Sequence, residues 1–198
     1  MTETEIRQAD WYGEDLSGRE HTQVLFSGVD LTEATGEGAV FTDCTFRDCR
    51  FNLAELSEAA FLNCTFTGCS FFQASFTDCK LVGSRFERCT FDLLTVRGGD
   101  WSFVVLPGAE LTRATFTGTR LREADLTGIR AGGATLRDLD LSAAELRDAD
   151  LSGADLRGSD LSVVDPRTVD LTGAQIDATQ AIVLVTALGM NVRPDAPD

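Results

Sequence analysis

Residues 134–161 read ATLRD LDLSA AELRD ADLSG ADLRG SDL, which is a five-residue unit with leucine at its centre. A five-residue period matches neither an α-helix nor a β-strand. Residues five apart point in different directions around a helix, and they alternate between the two faces of a strand. Every fifth residue lies on the same side if the chain turns a corner after each unit and four units close a square coil. Such coils stack through main-chain pairing, so the stretch predicts a β-solenoid.

The same phase extends over most of the chain. Centres fall at every number ending in 1 or 6 from Trp11 to Ile176, and 30 of these 34 positions carry a large apolar side chain. The exceptions are His21, Gly36, Ala131 and Pro166. We therefore predict an all-β fold, with residues 9–176 as one uninterrupted solenoid domain and residues 1–8 as a flexible N-terminus.

The centres between residues 41 and 91 are mostly phenylalanine. Since residues 20 apart occupy the same corner of successive coils, these rings should form columns. We expect Phe46, Phe66 and Phe86 in one column and Phe51, Phe71 and Phe91 in another.

All six cysteines lie two residues before a centre, in the slot that Ala, Ser or Val fills elsewhere. A free cysteine behaves as a small buried hydrophobe, and neither the spacings nor the single histidine fit a zinc site. Cys49, Cys69 and Cys89 should stack about 4.8 Å apart, a separation that does not exclude a disulfide. Reduced structural thiols are the interpretation that a cytosolic protein favours.

The formal net charge is −15, from 32 acidic and 17 basic residues, and 43% of the residues are hydrophobic. This charge argues against direct nucleic-acid binding and favours a basic protein partner. No apolar run approaches 18 residues and no signal peptide is evident, so we expect a cytoplasmic protein that does not enter membranes. No motif for catalysis, a cofactor, a metal or a small-molecule substrate is found, and we predict that the chain is not an enzyme.

The slot before each centre is strongly acidic in the C-terminal third of the chain. This bias makes the surface a candidate for partner binding by imitation of DNA, although a merely solubilising role explains the charge as well. Arginines follow every second centre, so they should occupy two opposite faces and leave two faces without them. The candidate partner-binding acids are Asp140, Glu145, Asp150, Asp155, Asp160, Asp165 and Asp170.

The repeat ends at Ile176, and residues 177–190 predict a short capping helix. Asp177 or Thr179 can cap its start and Gly189 its end. The helix is more apolar than a cap requires, which indicates a homodimer joined at the C-terminal end through Ile182, Leu184, Val185, Leu188 and Met190. Residues 191–198 are predicted to be a disordered tail.

An apolar strip on one face offers a different hypothesis. Its outward slots on successive coils carry Val40, Leu62, Val82 and Phe103. A structural or scaffold solenoid could bind another protein there, although loosely packed outer residues explain the strip equally well.

The units Cys64-Thr-Phe-Thr-Gly, Ala149-Asp-Leu-Ser-Gly and Ala154-Asp-Leu-Arg-Gly resemble the A(D/N)LXX pattern of the pentapeptide-repeat family. That resemblance covers about residues 9–178 and implies a right-handed quadrilateral β-helix. Within the family, the unbroken phase, the opening from Glu14 and the ending Ile176-Asp-Ala-Thr-Gln-Ala look like the mycobacterial MfpA type.

The MfpA resemblance implies a dimer that imitates duplex DNA, binds DNA gyrase, inhibits it and is linked to fluoroquinolone resistance. A role in resistance to a gyrase toxin shares the same target. The Qnr branch of the family carries projecting loops tied to drug protection, for which this phase leaves no room. Drug protection is therefore less firmly implied than gyrase binding.

Overall fold

The computed structural model describes residues 4–193, which form a four-sided parallel β-solenoid followed by one helix. Three of the four sides carry short strands. One side contains β1 (Thr4–Arg7), β3 (Val24–Ser27), β6 (Thr45–Arg47), β9 (Thr65–Thr67) and β11 (Arg85–Glu87). A second contains β4 (Thr35–Glu37), β7 (Glu55–Ser57), β10 (Ser75–Thr77), β12 (Thr95–Arg97), β13 (Thr115–Thr117) and β14 (Thr135–Arg137). The third contains β2 (Glu20–Thr22), β5 (Val40–Thr42) and β8 (Ala60–Leu62).

Neighbouring coils pair in parallel at an offset of 20 residues, which confirms the predicted register. Phe46 aligns with Phe66, and Phe66 aligns with Phe86. The ring centroids of these two pairs are 4.8 Å and 4.7 Å apart, with the rings nearly parallel. The phenylalanine columns are therefore present, and the interior is one continuous buried core.

The solenoid begins earlier than the sequence boundary at residue 9. Strand β1 pairs with β3, and Ile6 packs partly buried against the core. Ile6 continues the five-residue phase one step before Trp11, so residues 4–8 belong to the first coil and are not a free arm. Residues 1–3 lie outside the described residues, as do residues 194–198 of the predicted tail.

The C-terminal helix α1 (Ala178–Ala187) starts from a capping box. The Asp177 carboxylate accepts from the Gln180 backbone N–H at 3.0 Å, and the Asp177 N–H donates to the Gln180 side chain at 2.8 Å. The buried Gln180 amide also donates to the carbonyls of Leu156 and Ser159. These two carbonyls belong to the last coils, so α1 satisfies main-chain groups that a solenoid end would leave unpaired. Across residues 4–193, no helix has the length and apolar character needed to cross a membrane.

Two interruptions of the main-chain ladder in residues 4–193 lie beside prolines. Beside Pro107, the N–H groups of Arg88, Phe91 and Leu93 lack the bonds to the next coil that Gly68, Phe71 and Gln73 make one coil earlier. The bond from the Glu110 N–H to the Cys89 carbonyl is also missing. Proline has no N–H and restricts its neighbour, so it disturbs a ladder that depends on regular donors.

The second interruption lies at Pro166, which the sequence marks as an exceptional centre. Asp165 accepts from the N–H groups of Thr168 and Val169 in a local turn, and its own N–H makes no bond to the previous coil. The Asp148 N–H donates to the Thr168 carbonyl at 3.0 Å, whereas the regular register would pair it with the carbonyl of residue 167. The proline at residue 166 occupies a centre, so the sequence pattern predicted a weak point there. Pro107 lies one residue after a centre and leaves the pattern of apolar centres unbroken, so the pattern did not predict the first interruption.

We expect the amides of Arg88, Phe91 and Leu93 to exchange with solvent deuterons at least about tenfold faster than those of Gly68, Phe71 and Gln73, because only the second set is hydrogen-bonded to the next coil. Hydrogen exchange read by NMR measures this difference. The variant Pro107→Ala should slow exchange at the first set, and equal rates in the two sets would contradict the interruption.

Candidate partner-binding surface

The seven predicted acids share one local geometry. In each case a carboxylate oxygen accepts from the backbone N–H two residues later, at 2.9–3.3 Å. This bond closes the turn that follows the acid, so the acids stabilise the corners of the coil. The sequence analysis treated these side chains only as surface charge and missed this role, although the repeated Asp-Leu-Ser and Asp-Leu-Arg units carry the signal.

The acids differ in their ionic partners. Asp140 pairs with Arg122, Asp155 with Arg157, and Asp165 with Arg167. No basic side chain between residues 4 and 193 forms a salt bridge with the remaining four acids, which are Glu145, Asp150, Asp160 and Asp170. These four therefore keep their charge available to a partner.

Two carboxylates of this set come together on one face. Asp150 and Asp170 are partners in a parallel bridge, so they occupy equivalent positions on neighbouring coils, about 4.8 Å apart along the axis. The opposite face carries Asp140 and Asp160, as predicted, but the Arg122 guanidinium reaches Asp140 from the preceding coil. On the face of Asp150 and Asp170, Arg130 occupies the equivalent position one coil earlier but forms no salt bridge with Asp150.

Hydrogen bonds keep several of these carboxylates ionised. Bonds from Ser152 lower the pKa of Asp150, and bonds from Ser142 do the same for Asp140. The Arg157 guanidinium lowers the pKa of Asp155 to about 2. These groups carry full negative charge at neutral pH, because the shifts move their pKa values further below 7.

The apolar strip is only partly accessible. Val40, Leu62 and Val82 are half-buried, whereas the Phe103 side chain is 50% exposed. On the opposite face, Leu53 and Phe72 are exposed next to each other, with the Leu53 N–H donating to the Phe72 carbonyl at 2.8 Å. The structure therefore places one strongly exposed aromatic ring on the predicted strip.

The predicted dimer surface on α1 needs one correction. Leu184 is only 8% exposed and packs into the protomer's own core, so it cannot serve a contact between copies. Ile182, Leu188 and Met190 are exposed, and Val185 is half-buried. Seven of the ten helix residues are apolar and they surround the helix, so the sequence could not tell the inward face from the outward one.

No group of three or more His, Cys, Asp or Glu side chains in residues 4–193 is arranged to hold a metal ion. His21, the polar residue in an inward slot, stacks on Phe41 with a centroid separation of 5.3 Å. Its buried Nε2 has no hydrogen-bond partner within the described part of the chain, and burial lowers the pKa of the imidazole. It therefore acts as a neutral aromatic filler of the first coil.

A stack of coils that pair in parallel around an apolar interior defines the class of a parallel β-solenoid. The pattern of pentapeptide repeat regions matches residues 19–95 and 39–116, and that of pentapeptide repeats, in eight copies, matches residues 124–162. The chain belongs to the pentapeptide-repeat family. These matches indicate no catalytic family.

Solved structures of similar fold include HetL, a pentapeptide repeat protein involved in heterocyst differentiation regulation in the cyanobacterium Nostoc. It shares 23% identity, with a TM-score of 0.54 and coverage of 87% of this chain and 82% of that one. The plasmid-mediated fluoroquinolone resistance protein QnrB1 also shares 23% identity, with a TM-score of 0.40 and coverage of 96% and 99%. Among curated protein sequences, none matches this chain.

Proposed function

We propose that this chain is a non-catalytic DNA mimic that binds DNA gyrase and inhibits it, with protection against fluoroquinolones or a gyrase toxin as the physiological consequence. The observation that carries the proposal is the set of unpaired carboxylates on the C-terminal coils, at residues 145, 150, 160 and 170. The resemblance to the MfpA type supports the choice of gyrase as the partner.

The charge density of these coils approaches that of duplex DNA. Residues 137–176 hold nine acids and four arginines, a net charge of −5 over two coils. At a strand-like spacing two coils span about 9.6 Å, or roughly one net charge per 1.9 Å, against about one per 1.7 Å in B-DNA. A protein surface that neutralises phosphates with lysine and arginine would find charges at a similar spacing here.

The turn geometry also prepares the acids for binding. One oxygen of each carboxylate is held by a backbone N–H, which fixes the side chain. The second oxygen stays available in the four acids without a salt bridge, Glu145, Asp150, Asp160 and Asp170. A partner arginine or lysine then meets an oriented acceptor, and less side-chain entropy is lost on binding. Negative charge fixed along a rigid rod favours a protein with a basic DNA-binding groove over nucleic acid itself.

Dimerisation through the exposed face of α1 would extend the mimic. Ile182, Leu188 and Met190 form an apolar surface at the C-terminal end, next to the acidic coils. Two copies joined there would place their acidic coils on either side of the junction, which doubles the length of charged rod offered to a two-fold symmetric partner.

The direct test is a gyrase supercoiling assay titrated with the purified protein at two salt concentrations. We expect inhibition that weakens as salt rises, because charge pairing across the contact is screened. Absence of inhibition at low salt with gyrase from a related bacterium would overturn the proposal, and a cleavage assay with a fluoroquinolone tests the protection.

Neutralising three unpaired carboxylates should weaken gyrase binding without unfolding the rod. In the variant Asp150→Asn, Asp160→Asn, Asp170→Asn we expect roughly tenfold lower affinity, since each pair contributes a fraction of a kcal/mol up to about 1. Asparagine keeps the oxygen that accepts the turn bond, so the unfolding midpoint should stay the same. Surface-binding measurements on gyrase and thermal unfolding record the two quantities.

A matched control removes the same charge elsewhere. Asp43, Asp48 and Asp78 lie in positive-φ turns on the middle coils, a conformation that asparagine also accepts. Converting these three to asparagine should leave gyrase affinity within about twofold of the parent. If the two triple variants lose the same amount of gyrase affinity, the net charge of the chain sets the affinity and the C-terminal surface does not.

The second candidate is a scaffold solenoid that binds another protein through the strip of Val40, Leu62, Val82 and Phe103. The observation in its favour is the 50% exposure of the Phe103 ring, which is unusual for a phenylalanine in a monomer. Loss of partner capture in a Leu62→Glu, Phe103→Glu variant that still inhibits gyrase would favour this function.

A further inference from the structure

Five of the six free cysteines are buried, and Cys89 is the exception. It lies at the end of the stack formed with Cys49 and Cys69, where the next coil places the smaller Ala109 in the same slot. This is also the place where the ladder is interrupted beside Pro107. The thiol of Cys89 is therefore the one that solvent can reach.

A groove of about 340 Å³ opens at this interruption. Cys89 lines it together with Thr90 and Phe91 on one coil and Glu110 and Thr112 on the next. Since the main-chain bonds that residues 88, 91 and 93 would make to the next coil are missing on this side, the groove leads between the two coils to the sulfur. A small polar molecule has room to enter.

Behind Cys89, the Cys69 thiol is placed to react with it. The two residues are 20 apart on paired coils, joined by the bond from the Thr90 N–H to the Cys69 carbonyl at 3.0 Å. Equivalent Cα atoms on paired coils lie about 4.8 Å apart, within the 4.4–6.8 Å range of disulfides. The Cβ atoms must approach slightly, and on this side of the coil no main-chain bond from Arg88, Phe91 or Leu93 to the next coil opposes that shift.

The two thiols differ in how their neighbours in the stack shift the pKa. A hydrogen bond from Cys69 lowers the pKa of Cys89, whereas hydrogen bonds with Cys49 and Cys89 raise the pKa of Cys69. The thiolate is the nucleophilic form, but hydrogen bonds also lower the pKa of the buried Cys44 and Cys49, so access through the groove is what sets Cys89 apart as the reactive thiol.

We propose that Cys69 and Cys89 form an oxidisable dithiol that reacts with a hydroperoxide entering through the groove. The Cys89 sulfur attacks one peroxide oxygen, the O–O bond breaks, and the departing hydroxide takes a proton to leave as water. The Cys69 sulfur then attacks the sulfenic acid, forming the S–S bond and releasing a second water. Two thiols and one hydrogen peroxide give one disulfide and two waters.

The chain contains a matched control. Cys44 and Cys64 stack in the same way on a neighbouring corner, but both are buried and the ladder beyond them is intact, with the Arg85 N–H bonded to the Cys64 carbonyl at 2.9 Å. Neither Cys44 nor Cys64 lines the groove at Cys89. It should stay reduced under conditions that oxidise Cys69 and Cys89.

The test is brief exposure of the folded, reduced full chain to hydrogen peroxide, followed by alkylation, trypsin digestion and mass spectrometry. We expect a disulfide that joins the tryptic peptide 51–80 to the peptide 89–97 through Cys69, with a mass loss of two hydrogen atoms. Alkylation of the untreated protein should modify Cys89 at least about tenfold faster than Cys44 or Cys64.

Single variants decide between a dithiol and a merely exposed cysteine. Alanine fills the equivalent slot at positions 54, 74 and 109, so Cys69→Ala and Cys64→Ala should both fold. Cys69→Ala should abolish the disulfide and leave a sulfenic acid on Cys89 that dimedone captures, whereas Cys64→Ala should change nothing. A native protein that accumulates sulfinic acid on Cys89 with no disulfide overturns the proposal, as does equal reactivity of all six thiols.

Discussion

Replacing Phe66 with alanine is expected to lower the free energy of unfolding by about 3–5 kcal/mol. The Phe66 ring is 1% exposed and stacks between Phe46 and Phe86, with centroid separations of 4.8 Å and 4.7 Å. It also meets Phe61 and Phe71 of its own coil, so alanine leaves a cavity that faces rings on every side. The coils on both sides are paired through rigid main-chain ladders and cannot collapse into the space.

Chemical denaturation followed by circular dichroism measures this loss, with Phe72→Ala as the control. Phe72 is 39% exposed on the outside of the same coil, and its truncation should cost less than about 1 kcal/mol. Because each coil contacts only its neighbours, the cavity should also divide the transition, with coils on either side of residue 66 unfolding separately. Similar losses in the two variants would mean that the column does not hold the rod together.

The register and the core were predictable because one periodic signal determines both. A side chain that recurs every five residues can be buried only if the chain turns after each unit, and stacking then follows from the need to pair main-chain groups. This is why the columns of Phe46 and Phe51 were placed correctly from the sequence. The early start at Thr4 was missed because a single centre, Ile6, preceded by polar residues does not establish a repeat.

The finer features of the surface depend on contacts between coils, which the repeat does not encode. The pairing of Arg122 with Asp140 joins side chains 18 residues apart and follows from the rotamers of a long side chain. The interruption beside Pro107 is a property of two coils together, since the missing donors belong to residues 88, 91 and 93. The exposure of Cys89 follows from that interruption and could not be read from its position in the repeat.

The second large effect on stability is expected from a substitution in the C-terminal helix α1. Leu184→Asp is expected to detach α1 from the solenoid, at a cost of about 3 kcal/mol or more, because it places a carboxylate in an apolar interface. A helix of ten residues is not stable alone in water, so detachment should unfold it. The Gln180 amide would then leave the carbonyls of Leu156 and Ser159, and amide exchange should accelerate throughout α1 and the last coil.

Ile182→Asp separates capping from dimerisation. Ile182 is 50% exposed, two residues before Leu184 on the outward side of the same helix, so the aspartate is solvated in the protomer and α1 should stay docked. In a dimer formed through this face the two carboxylates would be brought together, and light scattering should show dissociation at micromolar concentration. Leu184→Asp must disturb exchange in the last coil, whereas Ile182→Asp must not. If Ile182→Asp instead leaves the oligomeric state unchanged, the apolar face of α1 does not join two copies, and the mimic acts through the acidic coils of one protomer.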